Sequence, residues 1–230
     1  MPNMTPPPYY DGTPHRYLLD RGSCLWRVHD RKYCARSFKA VPANMVFGGA
    51  RFDATEMDEY PFYYGALDQG TALAETLFRD LPRDERGMRL LTGAALAGRQ
   101  ISGLTLTRDL ELVSLITGKD LAAIAQDHWL VTASGPEYAQ TRAWGQWLRS
   151  QAKWAHGFIW DSLRDRSGLA VVLFGDRLAA AFGRDYERIL LHEVPELARS
   201  LDDADGGDWL NGLLEQYRVA IEPPTPGRGR

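Results

Sequence analysis

Residues 157–174 read Gly-Phe-Ile-Trp-Asp-Ser-Leu-Arg-Asp-Arg-Ser-Gly-Leu-Ala-Val-Val-Leu-Phe. Two apolar runs, 158–160 and 169–174, flank the polar loop 161–168, and runs of this length and composition are strands. Just upstream, residues 137–149 follow Pro136 and bring Tyr138, Thr141, Trp144, Gly145 and Leu148 to one face, the pattern of an amphipathic helix that starts at a proline. A helix feeding into two buried strands sets the character of the whole chain.

Working outward, residues 24–29 form a short strand-like run, followed by turn-rich sequence as far as Phe47-Gly-Gly-Ala-Arg51. The aromatic stretch 61–65 is strand-like, and residues 71–79, rich in Ala and Leu, predict a helix buried on most faces. Residues 101–107 and 110–116 alternate as two adjacent strands with Arg108-Asp109 as a tight link. Residues 119–126 look helical, 188–194 are a strand candidate, and two short helices close the domain. Strands and helices are interspersed, so the expected class is α/β or α+β.

The chain has 230 residues, 27 Lys+Arg against 30 Asp+Glu, and a formal net charge of −3. That length suits one domain with a sizeable core. The near-neutral balance argues against direct nucleic-acid binding through many phosphates. Eight of the 13 Pro lie in residues 1–14 and 223–226, so residues 1–14 and 221–230 are expected as flexible tails around a domain of 15–220. Two Cys are too few for a disulfide scaffold. There is no signal-peptide pattern and no apolar run long enough to span a membrane, so a cytoplasmic location without a membrane partner is expected.

Only four basic residues are Lys (Lys32, Lys39, Lys119 and Lys153), leaving 23 Arg. A GC-rich genome gives such a bias, and so does a need for planar, bidentate anion contacts. The Cys24–His29–Cys34 spacing resembles part of a zinc knuckle, but Arg21 stands where a fourth ligand would fall, so no metal is expected. Five of the seven Trp lie between Trp129 and Trp160; core packing explains them, and a stacking platform for a ligand ring is the alternative. Glu75 sits among apolar and small neighbours in a helix, where a carboxylate must be solvated, paired or functional; pairing with Arg79 is the simple solution. Ser162 follows an apolar strand, a place where α/β proteins bind ligands, and reads as a hydrogen-bonding residue and not as a nucleophile.

Several segments, in order, resemble the RES-domain family, named for an Arg, a Glu and a Ser. They are Trp26-Arg27-Val28-His29, Gly48-Gly-Ala-Arg-Phe-Asp53, Tyr64-Gly-Ala, Ala72-Leu-Ala-Glu-Thr-Leu-Phe78 and Leu112-Val-Ser-Leu-Ile-Thr-Gly118. Tyr138-x-x-Thr-Arg-x-Trp144, Gly157-Phe-Ile-Trp-Asp-Ser162 and Val171-Val-Leu-Phe174 complete the series. The resemblance implies an α+β fold, a mixed sheet with flanking helices similar to ADP-ribosyltransferases. It also implies a toxin-like enzyme that consumes NAD by hydrolysis or phosphorolysis of the nicotinamide–ribose bond, with inorganic phosphate as co-substrate in the second case. Transfer of ADP-ribose to a protein, or a non-catalytic NAD-binding or dimerisation module, are the alternatives on the same scaffold. Carried over by position, Glu75, Ser162 and Tyr64 are the expected catalytic residues, Tyr64 being preferred to Tyr63 for its spacing to Glu75. Arg27 and Arg51 are expected to bind the NAD diphosphate. A helix-turn-helix antitoxin and a second copy of the chain are the partners the resemblance implies.

Overall fold

A computed structural model describes residues 3–78 and 81–222. Strands β1 (Arg16–Leu19), β2 (Cys24–Asp30) and β3 (Phe62–Ala66) precede helix α1 (Gln69–Thr76). Then come β4 (Arg89–Leu91), α2 (Gly93–Leu96), β5 (Arg99–Leu106), β6 (Leu110–Leu115), α3 (Gly118–Ala123), α4 (Trp129–Thr132) and α5 (Tyr138–Gln151). The second half carries β7 (Gly157–Asp161), β8 (Leu169–Phe174), α6 (Gly175–Phe182), α7 (Tyr186–Leu190) and β9 (Leu191–Glu193). It ends with β10 (Arg199–Ser200), α8 (Ala204–Leu214) and β11 (Val219–Ile221). Among the described residues, nine strands form one mixed sheet in the order β1-β6-β7-β8-β3-β2-β5-β10, with β9 also on β5; β4 and β11 form a separate parallel pair. The class is α+β, as expected.

The apolar runs 158–160 of β7 and 169–174 of β8 are unbroken because both faces of the sheet are covered. Phe158, Trp160, Val172 and Phe174 pack with Trp144 and Leu148 of α5, while Ile159, Val171 and Leu173 meet Leu25, Leu104 and Leu178 on the other face. Side chains alternate between faces along a strand, so two-sided burial produces a continuous apolar run. Each such fully buried side chain contributes roughly 1.5–3 kcal/mol. A third cluster, including Trp26, Leu73, Phe78, Leu210 and Leu214, seats α1 and α8 against β2.

The expected pairing of the strands on either side of Arg108-Asp109 does not occur. β5 pairs with β2, whereas β6 pairs with β1 and β7. The connecting residues spend their backbone donors elsewhere: Leu106 donates to the Ser23 carbonyl and Thr107 to that of Leu190. Asp109 accepts from the backbone N–H of Arg21. The link, Arg108-Asp109, has no glycine or asparagine, and Asp109 alone does not supply the positive φ at both central residues that a type I′ hairpin turn needs. The curled sheet instead brings strands from distant positions in its order within reach of a short connection. Residues 188–194, expected as one strand, divide between the end of α7 and β9.

The sheet is weakly joined at one place. β2 matches β5 at seven positions, but it matches β3 only at Trp26↔Ala66. Further along β3, Phe62 exchanges both backbone hydrogen bonds with Lys39, at 2.8 and 2.9 Å. The turn-rich connection therefore occupies the edge that β2 leaves, and the two strands part there. Of the expected tails, residues 3–14 hold no regular element, yet the Asn3 carbonyl accepts from Trp144 Nε1 and Tyr10 donates to the Ala123 carbonyl. Residues 223–230 of the expected C-terminal tail lie outside the described residues. No helix among the described residues is long and apolar enough to cross a membrane.

Candidate active site

The parting of β2 and β3 opens a cleft of about 210 Å³. Trp26, Arg27 and Val28 come from β2, Phe62, Tyr64 and Ala66 from β3, Glu75 from α1, and Trp160 from β7; Lys39, Ala50 and Arg51 come from the connection between β2 and β3. The structure thus brings Arg27, Arg51, Tyr64 and Glu75, expected from separate motifs, to one cavity.

Ser162 stands behind the cleft and not in its wall. It is fully buried, and its Oγ donates to Glu75 Oε1 at 2.6 Å while accepting from the backbone N–H groups of Arg164 and Asp165, both at 3.1 Å. A hydroxyl has one proton and two lone pairs, so all its capacity is committed within the protein. It holds the carboxylate and has nothing left for a ligand.

Local sequence explains why Glu75 is placed there. The Asp68 carboxylate caps α1 by accepting from the Thr71 N–H at 2.8 Å. One turn before Glu75, Thr71 Oγ1 lies 2.6 Å from Asp165 Oδ2. Thr71 and Glu75 are four residues apart on one helix face, and both grip the loop between β7 and β8. Gly168 in that loop approaches so closely that a Cβ there would lie 1.8 Å from Thr71 Oγ1. Glu75 is partly exposed and is satisfied through Ser162. The pairing with Arg79 lies outside the described residues.

Arg27 Nη1 donates to the carbonyls of Ala35 and Ser37 at 3.2 and 2.6 Å, and its guanidinium lies 4.6 Å from the centre of the fully buried Tyr63 ring. Arg51 is buried, with Nη2 donating to the Ala133 carbonyl at 3.2 Å. Tyr64 Oη accepts from the Phe52 N–H at 2.9 Å. Burial first, and the Asp53 carboxylate second, push the Tyr64 phenol well above its ordinary pKa, so it stays protonated.

The sequence assigns no role to Trp26 or Lys39 in the cleft, nor to two residues of α5 that secure Arg51; Trp160 is the one member of the Trp cluster, with its alternative of a stacking platform, that lines it. Thr141 Oγ1 donates to the Arg51 carbonyl at 2.8 Å. The buried Arg142 donates to the carbonyls of Gly48 and Asn44, both at 2.8 Å. Thr141 and Arg142 fall within the Tyr138-x-x-Thr-Arg-x-Trp144 motif, which carries the signal without assigning them a role. Lys39 had none, because turn-rich sequence carries no periodicity. Gly48 and Gly49, with φ of +68° and +71°, form a turn that Arg142 holds. Of the clustered Trp, Trp144 and Trp160 belong to the core and the others pack against it. Cys34 and His29, from the knuckle-like spacing, have separate partners in Glu193 and Ser102.

The α+β architecture is that of a solved structure, the crystal structure of the M. tuberculosis MbcT-MbcA toxin-antitoxin complex. The match has a TM-score of 0.53 and 13% identity, and covers 83% of this chain and 90% of that chain. The family itself follows from the sequence match: the RES domain covers residues 24–193, and the chain belongs to the RES-domain family. No curated protein matches it in sequence.

Proposed function

We propose that the protein is a toxin-like enzyme that cleaves the nicotinamide–ribose bond of NAD. The observation that carries this reading is a carboxylate, Glu75, clamped by Ser162 at the wall of a cleft that also presents Arg27 and Arg51. Departure of nicotinamide takes the bonding electron pair and leaves oxocarbenium character on the ribose, as in glycoside cleavage. A fixed carboxylate stabilises that developing positive charge without reorganising. The arginines suit the diphosphate through charge-assisted hydrogen bonds. Water attacking the anomeric carbon gives ADP-ribose and a proton; inorganic phosphate gives ADP-ribose phosphorylated there.

The cleft is smaller than the ~300–1,000 Å³ typical of small-molecule pockets, so it suits the reacting end of the dinucleotide. Ser162, with its hydroxyl committed, acts as a positioning residue for Glu75. Tyr64 and Trp160 offer aromatic surface to the nicotinamide or its ribose.

An antitoxin of helix-turn-helix type, a homodimer and a cytoplasmic location belong to the same reading. Support for a macromolecular partner comes from Met45, Val46 and Phe47, exposed at 41%, 74% and 71% in the loop that leads into Arg51. Such exposed apolar runs mark contact surfaces. The same feature favours, as the second reading, transfer of ADP-ribose to a protein.

Incubating purified protein with NAD, with and without phosphate, and identifying the products tests these readings. Release of nicotinamide supports cleavage, and labelled protein supports transfer. NAD bound by a folded protein but left intact would make the chain a non-catalytic binding module.

A further inference from the structure

We propose that Lys39 is an anion-binding side chain of the cleft, gripping a phosphoryl group of the ligand; the proposal deepens the reading above and rests on it for the identity of that ligand. Lys39 is held in place by its backbone, which exchanges two hydrogen bonds with Phe62 at the parting of the sheet. Its Nζ lies 5.2 Å from the centre of the Phe62 ring and 3.5 Å from Asp53 Oδ2.

The two partners are unequally placed. The Asp53 side chain is 3% exposed and that of Lys39 51% exposed. A buried carboxylate needs a cation, which explains why the ammonium is drawn to this wall. At 3.5 Å the contact is too long for a strong hydrogen bond, and an ammonium has three donors. Lys39 therefore keeps donors for a ligand while Asp53 fixes its position.

Charge supplies the second argument. The chain as a whole carries −3. Among the charged residues lining the cleft, Arg27, Lys39 and Arg51 face a single carboxylate, Glu75. That local inversion suits a multiply charged oxyanion. Lys39 is the only one of the four Lys in this wall. A compact point charge on a flexible stem adds to the arginines a contact that adapts to the phosphoryl group. That group has two possible sources, the diphosphate of the dinucleotide and free inorganic phosphate.

Calorimetric titration of the full chain with inorganic pyrophosphate, and separately with orthophosphate, at fixed ionic strength tests the proposal without requiring NAD cleavage. Wild type is expected to bind, Lys39→Gln to bind about tenfold more weakly or worse, and Lys39→Arg to stay within about threefold of wild type. Lys32→Gln, which removes an exposed charge paired with Asp30, should match wild type. Weakening for pyrophosphate alone assigns Lys39 to the diphosphate, and for orthophosphate alone to the attacking phosphate. If Lys39→Gln fails to fold with Asp53 unpaired, Lys39→Gln combined with Asp53→Asn removes that strain and must still lose binding. Unchanged binding of both anions in folded Lys39→Gln, or in the folded Lys39→Gln/Asp53→Asn double variant, or no binding by wild type, overturns the proposal. Intact NAD alongside normal pyrophosphate binding instead removes the NAD-cleaving reading and leaves this one standing.

Discussion

Ser162 and Glu75, 87 positions apart in sequence, are joined by a 2.6 Å hydrogen bond in which the serine hydroxyl donates to the carboxylate. The two backbone N–H groups that the same hydroxyl accepts from fix its direction, so the carboxylate is oriented from behind by a buried group. This relationship separates two roles that residue types alone leave merged: one side chain faces the cleft and the other aims it.

Glu75→Gln keeps the shape and removes the charge, and is expected to lower kcat for NAD cleavage by roughly 10²–10³-fold, the range for removing one electrostatic stabiliser. Ser162→Ala should also lower kcat, with little change in KM, and should reduce stability by about 1 kcal/mol because two partly buried N–H groups lose their acceptor. Steady-state kinetics with a denaturant melt on each variant reads both effects. Full activity in folded Glu75→Gln would remove this residue from the chemistry.

Arg51→Lys retains a positive charge but loses the planar fork. The expected result is a rise in KM for NAD of about tenfold, since hydrogen bonds to charged groups contribute roughly 1.5–3 kcal/mol each. Initial rates across a range of NAD concentrations decide it. A KM equal to wild type would return Arg51 to a purely structural role as donor to the Ala133 carbonyl.

Gly168→Ala places a methyl where Thr71 Oγ1 already lies, 1.8 Å from the ideal Cβ position. Either α1 or the loop must shift, and overpacking of this kind costs about 1–3 kcal/mol. The urea midpoint should fall by a corresponding amount. Because α1 carries Glu75, kcat should fall as well; an unchanged midpoint would show that the loop yields freely.

Asp120 gives the fold an acid-sensitive tie. Burial opposes its ionisation, but the Thr117 N–H, His15, the Ser114 hydroxyl and the Thr117 hydroxyl together outweigh it and hold the carboxyl at about 2. A folded-state pKa below the unfolded value means the stabilisation is complete above about pH 4 and is lost as pH falls toward 2. Unfolding free energy should drop by on the order of 1–2 kcal/mol over that window. The drop should be smaller in Asp120→Asn, which has no carboxyl to titrate there. Equal slopes in the two proteins would dissociate Asp120 from the acid response.

The sequence by itself determined the elements whose signal is local. β7 and β8 are readable because both faces are buried and the runs 158–160 and 169–174 are apolar throughout, and α5 because its apolar side chains return at helical spacing. Glu75 stood out because a carboxylate among Ala, Leu and Phe needs an explanation, and the ordered motifs gathered Arg27, Arg51 and Tyr64 beside it. The tertiary structure alone decided which strands meet. Residues 101–107 and 110–116 have the alternation of a hairpin, yet β5 and β6 find other partners, because pairing depends on which edges lie free across the whole sheet. The cleft exists because β2 and β3 match at one position and Lys39 takes the vacated edge, in a stretch with no periodicity to read. The burial of Ser162 behind the cleft was unreadable for the same reason: the three partners that take up its hydroxyl come from the fold.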